Sequence, residues 1–385
     1  MTTLEHQLTT KVGSATGRPV VEERKIKPVL WWATLGAAFL ALETYVMGRW
    51  LLDGPTRTPV GPTPLPTWMW LNFRFFEGFG VFCVFFFAYR WIYLPLRREG
   101  RLSSDGLLCL AAATLLWQDP LNNMWQVTFS YNSGFYNLGS WAGYVPGALA
   151  PHIVNRQAEP LLFILFPYFV WCIPPIVFMN YLMRKSKDRW NLSNGQIVLF
   201  AFAFGFVADF LLEWIPILLG HYQFSGQPGP KIFAQNRLAF PVHESICFGL
   251  VYSTWAIIRY FKNDKGEMIC ERGISDVKSK PKPKTWIRWM AMVGMLNLPF
   301  TCYTVTVAAI NLHGREWNAD VQKRSYFTQG MCGPGTTYAC EGHGVPIPRP
   351  DSAHMTPDGT FVGPAPGIKL PIPYKTATKD PGFVS

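Results

Sequence analysis

Two acidic residues four apart in an apolar run, DFLLEW, put Asp209 and Glu213 on one face of a helix, about one turn from each other. Carboxyl groups that close repel when both are charged, so one of them is expected to keep its proton at neutral pH, the usual condition for an acid and base pair. Neither has a cationic neighbour in sequence. Further on, FPVHES places His243 beside Glu244 at the start of another apolar run, a combination suited to moving protons near neutral pH. Earlier runs carry Glu43 with Arg49 and Arg74 with Glu77, and QDPLNNMWQ gathers Asp119, Asn122, Asn123 and Gln126 around Pro120. Several of these residues have a purely structural reading. Arg74 and Glu77, at i and i+3, suit an ion pair; Glu43 suits a pair with Arg49; the amides suit hydrogen bonds between helices. The sequence holds no CxxC, no HExxH and no phosphate-cradling glycine loop, so neither a metal nor a cofactor is expected.

The elements that must hold these residues are membrane helices. Of 385 residues, 49% are apolar and only 15% charged, against roughly 25% charged in soluble domains. With 29 Phe and 16 Trp, the aromatic content fits spans filled with Phe and edged by Trp and Tyr. Apolar stretches lie near 29–52, 69–95, 106–128, 160–183, 195–219, 240–261 and 285–312, most of them reaching the ~20 residues that cross ~30 Å of hydrocarbon. Lys and Arg in the successive connections number five, one, three, one, four, two and seven. That alternation, nineteen against four, is what a chain with its N-terminus inside and an odd number of spans shows under the positive-inside rule. The net charge of +11 therefore reports topology, and no nucleic-acid partner is expected. The fold class read from this pattern is all-α: a polytopic bundle of about seven transmembrane helices in a bacterial cytoplasmic membrane, N-terminus inside and C-terminus outside. No cleavage site closes the first stretch, so it is read as an anchor.

Three regions follow: a cytoplasmic segment 1–28, a membrane domain 29–312 and a Pro- and Gly-rich extracytoplasmic tail 313–385, much of it expected to be irregular. Of eight cysteines only Cys332 and Cys340 fall outside, and their spacing, CGPGTTYAC, suggests a local disulfide.

Ionisable groups cost roughly 2.5–3.5 kcal/mol each at a helix centre, and they persist where they face a cavity or a partner. Given the direction of each span, Glu43, Glu77, Asp119, Glu213, His243 and Glu244 all lie in the outer half. One polar pocket is expected, with Asp209, Glu213, His243 and Glu244 as its catalytic groups. Glu43, Glu77, Asp119, Asn122, Asn123, Gln126 and Tyr131 are expected on its wall, and YNSGFYNLGSWAGYVPG as its roof. The broken stretch around Pro120 is expected to line it.

The runs NMWQVTFSYNSGFYNLGSWAGYVPGALAP, EPLL, DFLLEWIPILLGHYQF and FPVHES resemble the spirocyclase family typified by the spiroketal-forming enzyme of avermectin biosynthesis, multi-span proteins of actinobacteria; the likeness covers roughly residues 30–312. The resemblance implies closure of a polyketide-like hydroxyketone to a spiroketal, with dehydration as a further activity. Its partners are then a lipophilic small molecule and the surrounding lipid. Such a reaction needs an acid, a base and a shaped site but no cofactor. Two other functions suit the same residues: a carotenoid or terpenoid cyclase or hydratase, and a proton-coupled transporter of a lipophilic molecule. Absence of an inverted repeat counts against the transporter. The sequence does not fix an oligomeric state.

Reporter fusions after Gly100, Lys187 and Ser275 are expected to read as cytoplasmic, and fusions after Val60, Pro228 and Pro350 as external. An external signal at Ser275 would break the seven-span topology.

Overall fold

The computed structural model describes residues 27–148, 157–234, 236–314 and 316–335, together with the short strands His354–Met355 and Phe361–Val362. Helix α1 (Pro28–Asp53) begins on a proline, whose fixed φ suits a first helical turn that has no use for its missing N–H. Phenylalanine dominates α2 (Thr67–Phe87), which passes through a wide π turn at Ala88–Tyr93 into α3 (Leu94–Glu99). The run ends at Gly100, whose φ of 65° suits glycine. Helix α4 (Ser104–Ala112) is capped by Ser103, whose Oγ accepts the Gly106 N–H at 3.0 Å. There follow α5 (Tyr168–Trp190), α6 (Asn194–Leu218), α7 (Val242–Tyr260) and α8 (Pro281–Asn311). A reciprocal capping box between Ser193 and Gln196 starts α6.

Five helices are long and apolar enough to cross a membrane: α1, the continuous run Thr67–Glu99, the run Leu161–Trp190 that contains α5, α6 and α8. On α2, Phe75, Phe82 and Phe85 are 65%, 63% and 67% exposed, an apolar face suited to lipid.

The sequence pattern predicts seven spans, and two stretches account for the difference. Where one span is expected over 106–128, α4 lasts nine residues and then tightens into a 3-10 segment, Ala113–Asn123. Pro120 removes a backbone donor there, and the buried side chains of Gln118, Asn122 and Asn123 are polar. Asn297 on α8 binds this segment directly, accepting from Trp117 Nε1 at 3.2 Å and Gln118 Nε2 at 2.7 Å. The expected break around Pro120 is therefore present. Helix α7 carries His243, Glu244, Ser245, Ser253 and Arg259 along its 19 residues, and only Ile246 and Leu250 on it are exposed. Arg259 makes a two-pronged ion pair with Asp105 at 2.7 and 3.0 Å and donates to Asn180 Oδ1 at 2.7 Å. Both stretches are wrapped in protein, which is where such polarity is tolerated.

Small residues bring the helices close. A Cβ on Gly249 of α7 would lie 3.0 Å from the backbone of Gly205 and Phe206 on α6, and one on Gly294 of α8 would lie 2.9 Å from Gly36 N on α1. One end of the bundle carries a cap. Strand β1 (Phe129–Tyr131) pairs antiparallel with β2 (Tyr222–Phe224), setting Tyr131 opposite Tyr222, and β3 (Lys231–Ile232) pairs with β4 (Phe240–Pro241). The start of the C-terminal region is built into this cap through α9 (Ala319–Gln322) and α10 (Ser325–Thr328). Trp317, Val321, Tyr326, Phe327 and Met331 bury themselves against Val127 and Ala142. Cys332 is disulfide-bonded, while Cys340, its expected partner, lies outside the described residues.

Gly249→Leu is expected to force α6 and α7 apart at a cost of about 1–3 kcal/mol or more, read as a lower thermal midpoint in detergent. An unchanged midpoint would mean that the close contact is absent.

Candidate active site

Beneath the cap lies a cavity of about 110 Å³, and all of its lining residues fall between Asp119 and Tyr303. Three carboxyl groups reach it: Asp119 from the 3-10 segment, Glu213 from α6 and Glu244 from α7. Each accepts a hydrogen bond from a tyrosine. Tyr131 OH donates to Asp119 Oδ2 at 2.9 Å, and Tyr168 OH lies 3.4 Å from Oδ1. The Tyr222 hydroxyl stands 2.8 Å from Glu213 Oε2 and 3.0 Å from the Glu213 carbonyl oxygen. Tyr303 OH donates to Glu244 Oε1. Tyr252 OH donates to the Trp171 carbonyl at 2.9 Å, so it adds an aromatic edge and no free proton. The remaining wall is mostly aromatic, from Phe129, Phe163, Trp171, Phe224, Phe248 and Phe300. Among the described residues, no Lys, Arg or His lines the cavity.

Three carboxyl groups within range of one another's charge, in an apolar chamber without a cation, are stable only if they hold protons or share donors. The phenols supply those donors. A chamber of this kind can give and take protons, and its carboxylates and aromatic faces favour a cation at its centre.

Of the residues expected to act, the structure brings Glu213, Glu244, Asp119, Asn122 and Tyr131 onto this cavity. Asp209 does not line it. It lies one turn deeper between α6 and α7, fully buried, with Ser245 within reach but no hydrogen bond of regular geometry to either carboxyl oxygen. His243 also misses the cavity, because consecutive helical residues point about 100° apart; with Glu244 turned inward, His243 turns toward Gly229 and Lys231. Glu43 sits half-buried on α1, away from the lining.

Three other expected wall residues build the surroundings instead. Asn123 accepts from the Thr128 and Phe129 N–H groups at 3.1 and 3.2 Å and donates to Gln157 Oε1 at 2.8 Å, tying β1 to the next loop. Gln126 is buried beside that strand. Glu77 forms the ion pair with Arg74, Nε to Oε2 2.9 Å, and accepts the Tyr136 N–H at 2.7 Å; Arg74 in turn donates to the Gly134 carbonyl at 2.8 Å. This clamp fixes the roof segment to α2.

Reading the sequence for charges in apolar runs missed the phenols Tyr168, Tyr222, Tyr252 and Tyr303, and also Glu159. Tyr222 follows Glu213 by nine residues across the turn at Gly220, whose φ is 76°, a return that the GHYQF run signals. Glu159 ends the loop ahead of the run Leu161–Trp190, is buried, and lies within hydrogen-bond reach of Asp119 and Ser140. Burial, then the neighbouring Asp119 charge, pushes the Glu159 carboxyl well above the usual range. His221 is held in a cage of Phe73, Phe76, Phe135 and Phe163 beneath the cap, and burial pushes it down to about 3, leaving a neutral ring bonded to Asn72.

The family model for Spirocyclase AveC-like proteins matches residues 99–327. The chain belongs to that family. No curated protein and no solved structure matches the chain significantly. The spirocyclase match begins just ahead of α4 and ends within α10, so it contains every residue lining the cavity and leaves α1 and α2 outside. In this spirocyclase-family chain, α2 serves as the post to which the roof is clamped.

Glu77→Ala is expected to cost about 3–5 kcal/mol by leaving the Arg74 guanidinium unpaired, read as a lower thermal midpoint. Full stability with lost activity would instead return Glu77 to the site.

Proposed function

We propose that this chain is a membrane-embedded, cofactor-independent acid–base cyclase that closes a lipophilic hydroxyketone to a spiroketal with loss of water. It passes the bilayer seven times, N-terminus in the cytoplasm and cap outside. The observation that carries this reading is the cavity itself: three phenol-bonded carboxyl groups, aromatic walls and no basic side chain among the described lining residues. Membership of the spirocyclase family supports the same reaction class.

In this reading Glu213 gives its proton to the departing hydroxyl of the hemiketal, the C–O bond breaks and water leaves. The resulting oxocarbenium ion lies between aromatic faces and the carboxylates, which oppose its charge. The second hydroxyl adds to the cationic carbon and its proton passes to Asp119 on the facing wall. Transfer of that proton back across the cavity to Glu213 restores the site. Glu244, bonded to Tyr303, deepens the negative potential.

A volume of about 110 Å³ accommodates the reacting centre, while pockets for whole drug-sized ligands run to ~300–1,000 Å³. The lining includes Leu212, 39% exposed, and the half-buried Trp171 and Pro216 on the side where α5 and α6 flank the chamber. The substrate's chain extends there, toward lipid.

The test uses the full chain in liposomes with a synthetic lipophilic dihydroxyketone, whose hydroxyls flank the carbonyl at ring-closing distance; the product is its mass less one water. Glu213→Gln and Asp119→Asn each keep shape but lose a transferable proton, and each is expected to lower kcat by ~10²–10⁴. Asp209→Asn, away from the cavity, is expected to cost about tenfold at most. Wild-type turnover in Glu213→Gln overturns the assignment, and movement of the ketone across the membrane with no change of mass favours a transporter.

A further inference from the structure

We propose that Glu159 is a positioning residue that shares a proton with Asp119, so that the base of the cyclase site is a carboxyl pair. The proposal rests on the cyclase reading for its role and on geometry for the pair. Glu159 is 2% exposed and comes from a loop held on both sides: the Ala158 N–H donates to Gln329 Oε1 at 2.9 Å, and Pro160 bridges to Asn137. Its carboxyl group stands within hydrogen-bond reach of the Asp119 carboxyl and is not among the groups that line the cavity. Ser140 lies within reach as well, yet among the described residues Oε2 meets no N–H or hydroxyl donor. A proton held between the two carboxyl groups satisfies that oxygen.

Among the described residues, the groups facing the pair contribute no positive charge. Tyr131 from β1 and Tyr168 from α5 donate to Asp119, Cys172 from α5 lies beside it as a free thiol, and Glu213 faces it from α6. Two ionised carboxylates in contact there would repel in a buried setting with no counter-ion among the described residues, whereas one proton between them leaves a single negative charge spread over both. That charge faces the oxocarbenium ion. When the second substrate hydroxyl adds, its O–H bond breaks, the oxygen's electron pair forms the new C–O bond, and the proton joins the pair. The pair is then neutral and doubly protonated until one proton returns to Glu213. Glu159 thereby lets Asp119 stay anionic before the step without isolating a full charge, and lets it accept the proton afterwards.

Infrared spectroscopy of the full chain in liposomes reads the pair without any substrate. The wild type is expected to show a protonated-carboxyl C=O band that shifts in heavy water and is lost in both Asp119→Asn and Glu159→Gln, each with an unchanged amide envelope. No such band in the wild type, or a band removed by neither substitution, overturns the proposal. With the synthetic dihydroxyketone, Glu159→Gln is expected to lower kcat at least ~10-fold with KM little changed, a fraction of the ~10²–10⁴ supplied by a positioned acid–base group. It is also expected to move the acidic-side inflection of the wild-type kcat profile against pH, which reports ionisation of the base and which a merely structural role would leave in place. Wild-type kcat and profile in Glu159→Gln overturn the role. A wild type that shows the band but leaves the ketone unconverted supports the pair and counts against the cyclase reading instead.

Discussion

Carboxyl groups facing an apolar cavity whose described lining holds no cation constrain everything else in this structure. Each charged carboxylate in such a place would cost several kcal/mol, and a neighbouring carboxylate raises the cost. The structure meets this by giving each cavity-facing carboxyl a phenol and, for Asp119, a second carboxyl. The phenols come from four elements, β1, α5, β2 and α8, and the carboxyl groups they serve from the 3-10 segment, α6 and α7, so the site exists only when the cap and these helices are assembled together.

The scaffold around the cavity is correspondingly stiff. Asn297 and Thr301 hold the 3-10 segment through Trp117 and Gln118, which fixes the direction in which Asp119 leaves the backbone. Gly205 and Gly249 bring α6 and α7 into backbone contact, and Glu213 and Glu244 then open onto the same space. Asn123 sews β1 to the loop that delivers Glu159, while Gln329 from the C-terminal region binds both Ala158 and the Tyr131 carbonyl. Residues beyond α8 thus serve the site, although their composition alone reads as an appendage.

What the sequence made legible follows from the cost of burying polarity. Apolar length marks α1, α2, α5, α6 and α8, because lipid-facing helices must be apolar on their own account. The stretch around Pro120 and α7 fall short of that measure; neighbouring helices surround them, and their polar side chains persist there through hydrogen bonds to protein. Depth along each helix grouped Asp119, Glu213 and Glu244 correctly in space, since depth is set by a rise of ~1.5 Å per residue. Rotation about the axis is a finer matter. It separates Glu244 from His243, and only packing decides it; Asp209 shares a face with Glu213 but lies one turn deeper. The tyrosines and Glu159 stayed hidden because a tyrosine in an apolar run is ordinary packing, and because Glu159 reaches Asp119 by a loop whose path no local pattern specifies.

Under the proposed cyclase reaction this chamber favours a cation over a neutral molecule of the same shape. Calorimetric titration of the full chain in detergent with a lipophilic cyclic amidinium, and with its uncharged carbocyclic isostere, measures that preference directly. The account predicts that the cation binds at least about tenfold more tightly, and that the preference disappears when Glu213 and Asp119 are changed together to Gln and Asn. Equal binding of the two compounds by the wild type would contradict it.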